Sequence, residues 1–156
     1  MVYIRSIDEL RWRNPHYYDS DIISDISTTD HEISVWSYIE GDEDSRNKAI
    51  LALAMRRSHF SDFFYVEISD REIEKLHFGL NEKPGDTYFV KYKNLHRNIE
   101  ICTVVGLLKL ARVIKKKINK TEANYVSVQD SEALLRSYSD ELSLEELKQT
   151  KYKNLI

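Results

Sequence analysis

Between His31 and Glu40 the apolar residues Ile33, Val35 and Ile39 alternate with Ser34, Trp36 and Tyr38. β-branched and aromatic residues at period two predict a strand. The next segment has a different period. Ile50, Leu51, Leu53, Ala54 and Met55 recur at helical spacing, Asp44 or Ser45 can cap them, and Arg56 and Arg57 place cations at the far end, which predicts a helix over 45–57. Phe63 to Ile68 is short, bulky and β-branched or aromatic, as in a strand covered on both faces. Ser69 and Glu72 then form a capping box and Ile68 and Ile73 a hydrophobic staple, so a brief helix begins at Asp70, with Gly79 available to stop it.

Pro84, Gly85 and Asp86 predict a turn, and Thr87 to Tyr92 alternates like a further strand. Asn98 to Cys102 reads either as another strand or as the start of the next helix. That helix spans Thr103 to Ile118, with Val104, Leu107, Leu108, Ala111 and Ile118 on one face and Gly106 weakening it slightly. Asn124 to Val128 suits a late strand, Ser131 to Tyr138 a short helix, and Ser143 with Glu146 a second capping box stapled by Leu142 and Leu147. Met1 to Thr29 shows a short apolar segment, Val2, Ile4 and Ile7, and little other regularity.

Strands interleaved with helices predict an α+β or α/β fold: a mixed, mainly antiparallel central sheet of four to five strands packed with three to four helices. With 156 residues, 42% of them hydrophobic, the chain suits a single domain over 1–156. Four glycines and two prolines exclude collagen-like and low-complexity classes. Arg5, Asp8 and Glu9 interrupt the N-terminal apolar segment, and the run from Ile101 ends at Lys109, far short of the roughly 20 residues that span a bilayer. No membrane association is expected, and the cytoplasm is the expected compartment. Cys102 has no second cysteine to pair with and reads as a structural thiol.

Charge changes the picture, because the net value of −3 conceals two opposed blocks. Residues 8–44 hold eleven acids against Arg11 and Arg13; residues 91–120 hold nine bases against Glu100. Lys109, Arg112, Lys116 and Lys120 recur at the spacing of the solvent stripe of an amphipathic helix, which could also grip phosphates. The acidic block is less routine, since like charges at close spacing repel and folding alone does not require them. Its carboxylates are interleaved with Trp12, Tyr17, Tyr18, Trp36 and Tyr38, the mixture of aromatic anchors and steering charge that protein interfaces use.

Catalytic and metal patterns are absent from the sequence. Asp19, Asp21 and Asp25 begin like a calcium loop, but Ile23 and Ser24 stand where a ligand and a glycine are needed. The five histidines lie in five segments and read as surface or loop residues, and the glycines are too dispersed for a phosphate cradle. Asp62, Glu67, Asp86 and Lys91, or Arg56, Arg57, His59 and Tyr65, could form a nuclease-like or transferase site only by gathering in space. No catalytic residue, metal or cofactor is therefore expected. The leading expectation is a non-catalytic binding protein of the immunity or antitoxin type. It would neutralise a basic toxin, such as a nuclease, through Asp19, Asp21, Asp25, Asp30, Glu32, Trp36, Tyr38, Glu40, Asp42, Glu43 and Asp44. The alternative is a small nucleic-acid-binding protein, or a metal-independent nucleic-acid enzyme, using Lys109, Arg112, Lys116 and Lys120.

Overall fold

The computed structural model describes residues 1–13, 19–26, 32–56, 58–101, 103–119 and 124–148; of 19–21, 24 and 144 it describes the backbone alone. Six strands form one antiparallel sheet: β1 (Val2–Ile7), β2 (Glu32–Tyr38), β3 (Phe63–Ser69), β4 (Gly79–Glu82), β5 (His96–Glu100) and β6 (Asn124–Val126), in the order β4-β5-β2-β1-β3-β6. The helices are α1 (Glu9–Arg13), α2 (Asp19–Ile26), α3 (Glu43–Ala54), α4 (Asp70–Leu76), α5 (Val104–Asn119), α6 (Val128–Ser137) and α7 (Leu144–Lys148). The class is α+β, with one strand more than the upper expectation and more helices than expected.

Strand side chains alternate between faces, and both faces are covered. Val2, Ile4, Trp36, Tyr38, Tyr65 and Val126 belong to the core beneath α3 and α6; Tyr3, Ile7, Ile33, Val35, Val66, Ile68 and Ile99 belong to the core beneath α2 and α5. Five successive residues of α3, Ala49 to Leu53, are buried, as expected of a helix enclosed between sheet and outer elements.

The N-terminal segment departs furthest from expectation. β1 is a central strand, and Trp12, Ile22 and Ile26 of α1 and α2 lie in the core. Neither helix could be read from its own sequence, because both are short and owe their stability to packing. Thr87 to Tyr92 is not a strand: residues 83–89 are irregular and Val90–Leu95 forms a 3-10 turn that buries Phe89 and Tyr92. The strand lies earlier, at Gly79–Glu82, an exposed edge with no apolar alternation to announce it. His77, in the left-handed conformation, ends α4 before Gly79 is reached.

The cap of α3 is Asp42, whose side chain accepts from the Ser45 amide. The capping boxes at Ser69/Glu72 and Ser143/Glu146 form as the sequence predicts. Buried α5 residues are Gly106, Leu110, Ala111, Ile114 and Ile118, whereas Val104 is exposed. Gly106 is required by packing, since a Cβ there would lie 2.8 Å from Ile101 Cγ2. Cys102 lies outside the described residues.

Candidate functional site

Among the described residues the acidic block does not form one surface. Asp25 sits on α2, where it accepts from Trp12 Nε1 at 2.6 Å. Glu32 begins β2, accepts from Asn98 Nδ2 and lies 3.6 Å from Lys83. Glu40, Asp42, Glu43 and Asp44 lie beyond the other end of that seven-residue strand, about 20 Å away at roughly 3.3 Å per residue. Among these last residues, Asp42 caps α3 and Asp44 binds Lys48 and the Tyr138 hydroxyl. Those two bonds hold the Asp44 carboxyl below its ordinary value. The side chains of Asp19 and Asp21, and all of Asp30, lie outside the described residues.

Trp36 and Tyr38 are corrected as surface anchors: they are 1% and 6% exposed. The period-two pattern was real, but this sheet has helices on both faces, so its aromatic positions face a core as much as its aliphatic ones. Lys109, Arg112 and Lys116 are exposed along α5, while Lys117 is held by Glu72 at 2.9 Å and Lys120 lies outside the described residues. Among the described residues neither candidate catalytic grouping is assembled as a whole, although Arg56, Asp62 and Asp86 line one cavity. Glu67 and Tyr65 bind Arg46, Lys91 binds Glu141, and His59 is exposed; Arg57 lies outside the described residues.

A different site appears where the sheet splits. β1 pairs with β3 along its whole length but with β2 only over Val2–Ile4, whereas β2 stays paired with β5 as far as Glu32. The ladder between β1 and β2 therefore opens after Ile4, and carbonyls on that edge need other donors. Arg5 supplies one: its Nη1 donates to the Ser34 carbonyl at 3.0 Å and its Nη2 to the Asp25 carbonyl at 3.2 Å. Its Nε is buried and has no acceptor. Burial lowers the Arg5 pKa; the nearby Asp25 carboxylate opposes the shift and Arg56 adds to it.

Two cavities lie at the split and share part of their lining; together they are called the cleft, and singly the outer and inner chambers. The outer one, about 550 Å³, is bounded by the end of β1, the start of β3 and the C-terminal end of α3; the inner one, about 250 Å³, lies over β2 and β5. Arg56 and Asp86 line both, and neither forms an ion pair among the described residues. Ser34, Trp36, His96 and Asn98 belong to the inner chamber. Trp36 Nε1 and Asn98 Oδ1 are buried there without a partner. Buried polar atoms are normally satisfied, so unmet atoms on both sides of the split single it out as a candidate site.

His96, expected on the surface, is 7% exposed and stacks edge-on against Trp36 with ring centroids 5.1 Å apart. Its Nδ1 lies 2.7 Å from the Lys83 carbonyl, which can only accept, so Nδ1 carries the proton and the neutral ring offers Nε2 as an acceptor. Burial lowers its pKa; the hydrogen bond to the Lys83 carbonyl opposes that shift, and the charges of Arg56, Lys83 and Arg97 add to it. The loop over the ring is fitted closely. A Cβ at Gly85 would lie 2.5 Å from Trp36 Cη2 and 2.6 Å from His96 Cβ, so no side chain can be accommodated there without moving the loop.

Arg5, Ser34, His96 and Asn98 were not singled out by sequence. The available signal was a lone arginine within the apolar segment Val2–Ile7, and it identifies no partner residue. No protein-family model, curated protein or solved structure matches the chain.

Proposed function

We propose that this chain is a small-molecule-binding protein that seats a polar, charged ligand in the cleft at the split of its sheet. The carrying observation is Arg5, a charged side chain set between two central strands. Backbone carbonyls take its Nη groups, and its Nε is left without an acceptor. Placing a guanidinium there costs more than an apolar residue of similar length would, and satisfying the two carbonyls leaves its Nε unused. Arg56 supplies a second, exposed guanidinium beside it, and the inner chamber supplies fixed hydrogen-bonding groups, the combination expected of a ligand pocket.

The test uses the two tryptophan indoles as reporters, since Trp12 Nε1 is bonded to Asp25 whereas Trp36 Nε1 faces no partner. Glycine, acetate and inorganic phosphate are titrated separately while the indole N–H resonances are followed. At least one probe should shift the Trp36 signal saturably, and Arg56→Ala should weaken that response about tenfold without loss of folded structure. No saturable shift with any probe refutes the reading.

A second reading retains a basic protein partner, in the manner of an immunity protein or antitoxin, on a narrower surface. Lys48 bridges Asp44 at 2.9 Å and Glu141 at 3.0 Å, drawing the start of α3 against the turn before α7. Glu40, Glu43 and Asp140 are exposed on these segments, so tertiary contact joins acids far apart in sequence. Because Asp42 and Asp44 have structural bonds, the informative variant is Glu40→Lys with Glu43→Lys. It should slow association with polylysine at low salt, and an unchanged rate would remove the steering argument.

A further inference from the structure

We infer that the ligand of the cleft is a zwitterion, specifically an α-amino acid whose side chain is uncharged and carries a hydrogen-bond donor. The inference rests on the small-molecule reading above and adds the ligand's chemistry. Its first support is the pair of charges between the chambers. Arg56 and Asp86 have opposite signs, both are exposed, both line the outer and inner chambers, and no ion pair joins them to each other or to another described residue. Opposite charges that share a cleft without neutralising one another are complementary to a ligand carrying one of each. Arg56 offers a forked donor to a carboxylate, and Asp86 offers an acceptor to an ammonium.

The second support is the charge of the surrounding wall, which disfavours a strongly anionic ligand. Asp8 and Glu9 line the outer chamber, paired with Arg11 at 3.7 Å and Arg13 at 2.6 Å. Asp25 is held by Trp12, and Asp62 accepts from the Tyr125 hydroxyl and the Val128 amide. These bonds reduce the local negative field without supplying a free cation. Among the described residues, a phosphate dianion would meet Arg56, and Arg5 with its Nη groups already taken by carbonyls, against a row of carboxylates; a zwitterion carries no net charge against that field.

The third support is the polarity of the inner chamber. His96 offers Nε2 as an acceptor, because its Nδ1 proton is committed to the Lys83 carbonyl, and the Glu32 carboxylate, which accepts from Asn98 Nδ2 and lies 3.6 Å from Lys83, lines the same chamber. Two acceptors over a floor that also holds the Ser34 hydroxyl select a side chain that donates, such as a hydroxyl or a carboxamide, over an aliphatic one.

The experiment is a calorimetric titration of the full chain with L-serine, L-asparagine and L-alanine, with acetate, methylammonium and inorganic phosphate as controls. L-serine or L-asparagine should bind at least tenfold more tightly than acetate, methylammonium or phosphate, and more tightly than L-alanine. Asp86→Asn, at an exposed loop position, should weaken amino-acid binding about tenfold without weakening acetate binding. Acetate or phosphate binding as tightly as the amino acids, or amino-acid affinity indifferent to Asp86→Asn, overturns the zwitterion and leaves the cleft reading standing. Equal affinity for L-alanine and the two donors overturns the assignment of the inner chamber. If no solute binds to the folded protein, the cleft reading falls as well.

Discussion

Trp36→Ala should lower the stability of the folded chain by about 3–5 kcal/mol, the range for emptying a large aromatic site in a core. Trp36 is among the largest fully buried side chains, on a central strand beneath α3. Its ring touches His96 and the Gly85 loop, so the loss would also loosen the cleft's inner wall. Urea denaturation followed by far-ultraviolet circular dichroism measures it as a lowered midpoint with the slope preserved. A change within about 0.5 kcal/mol, normal for a surface position, would mean that the residue is an exposed anchor after all.

Arg5→Ala should cost about 2–4 kcal/mol by the same measurement. The Ser34 and Asp25 carbonyls lose their guanidinium donors, and a buried acceptor left unmet costs roughly 1–3 kcal/mol. The relief of no longer desolvating the guanidinium offsets part of that sum. Arg5→Lys should restore little, because a single ammonium cannot reproduce the forked contact with two carbonyls on different segments. Ligand binding in the cleft should be lost in both variants. A stability unchanged by Arg5→Ala would show that the guanidinium does not hold the split edge of β2 to α2.

Much of the fold was legible where a local rule had one outcome. Ser69 with Glu72 and Ser143 with Glu146 fixed helix starts, because each box satisfies end amides within four residues and needs no distant partner. The alternation around Ile33 and Val35 located β2, and the heavy residues of Phe63 to Ile68 located β3. Local rules failed where stability comes from elsewhere. β4 is an exposed edge held by its ladder to β5, and α1 and α2 are short helices held by Trp12, Ile22 and Ile26 against α5. Thr87 to Tyr92 has the alternation of a strand, yet its apolar residues fill the core from a 3-10 turn.

The candidate site was less legible than the fold. Its residues come from β1, β2, the end of α3, the 83–86 loop and β5, and no spacing in sequence relates them. The acidic surplus of residues 8–44 was plain in sequence, but charge along a chain does not state which way side chains turn. Sheet and helices send Asp25 to one face, Glu32 to the split end and Glu40 to Asp44 to the opposite end.

Composition and periodicity by themselves determined an α+β chain with a substantial core, its principal strands and helix, and two capped helix starts. These follow from short-range sterics and from the requirement to hide apolar side chains. Tertiary structure alone decided that the first strand lies in the middle of the sheet, that its ladder to β2 opens after Ile4, and that Arg56 and Asp86 stand between a cavity lined by Arg5 and one lined by His96. Strand order and the breaking of a ladder depend on which distant segments meet, a choice made by the whole core at once and recorded in no single stretch of residues.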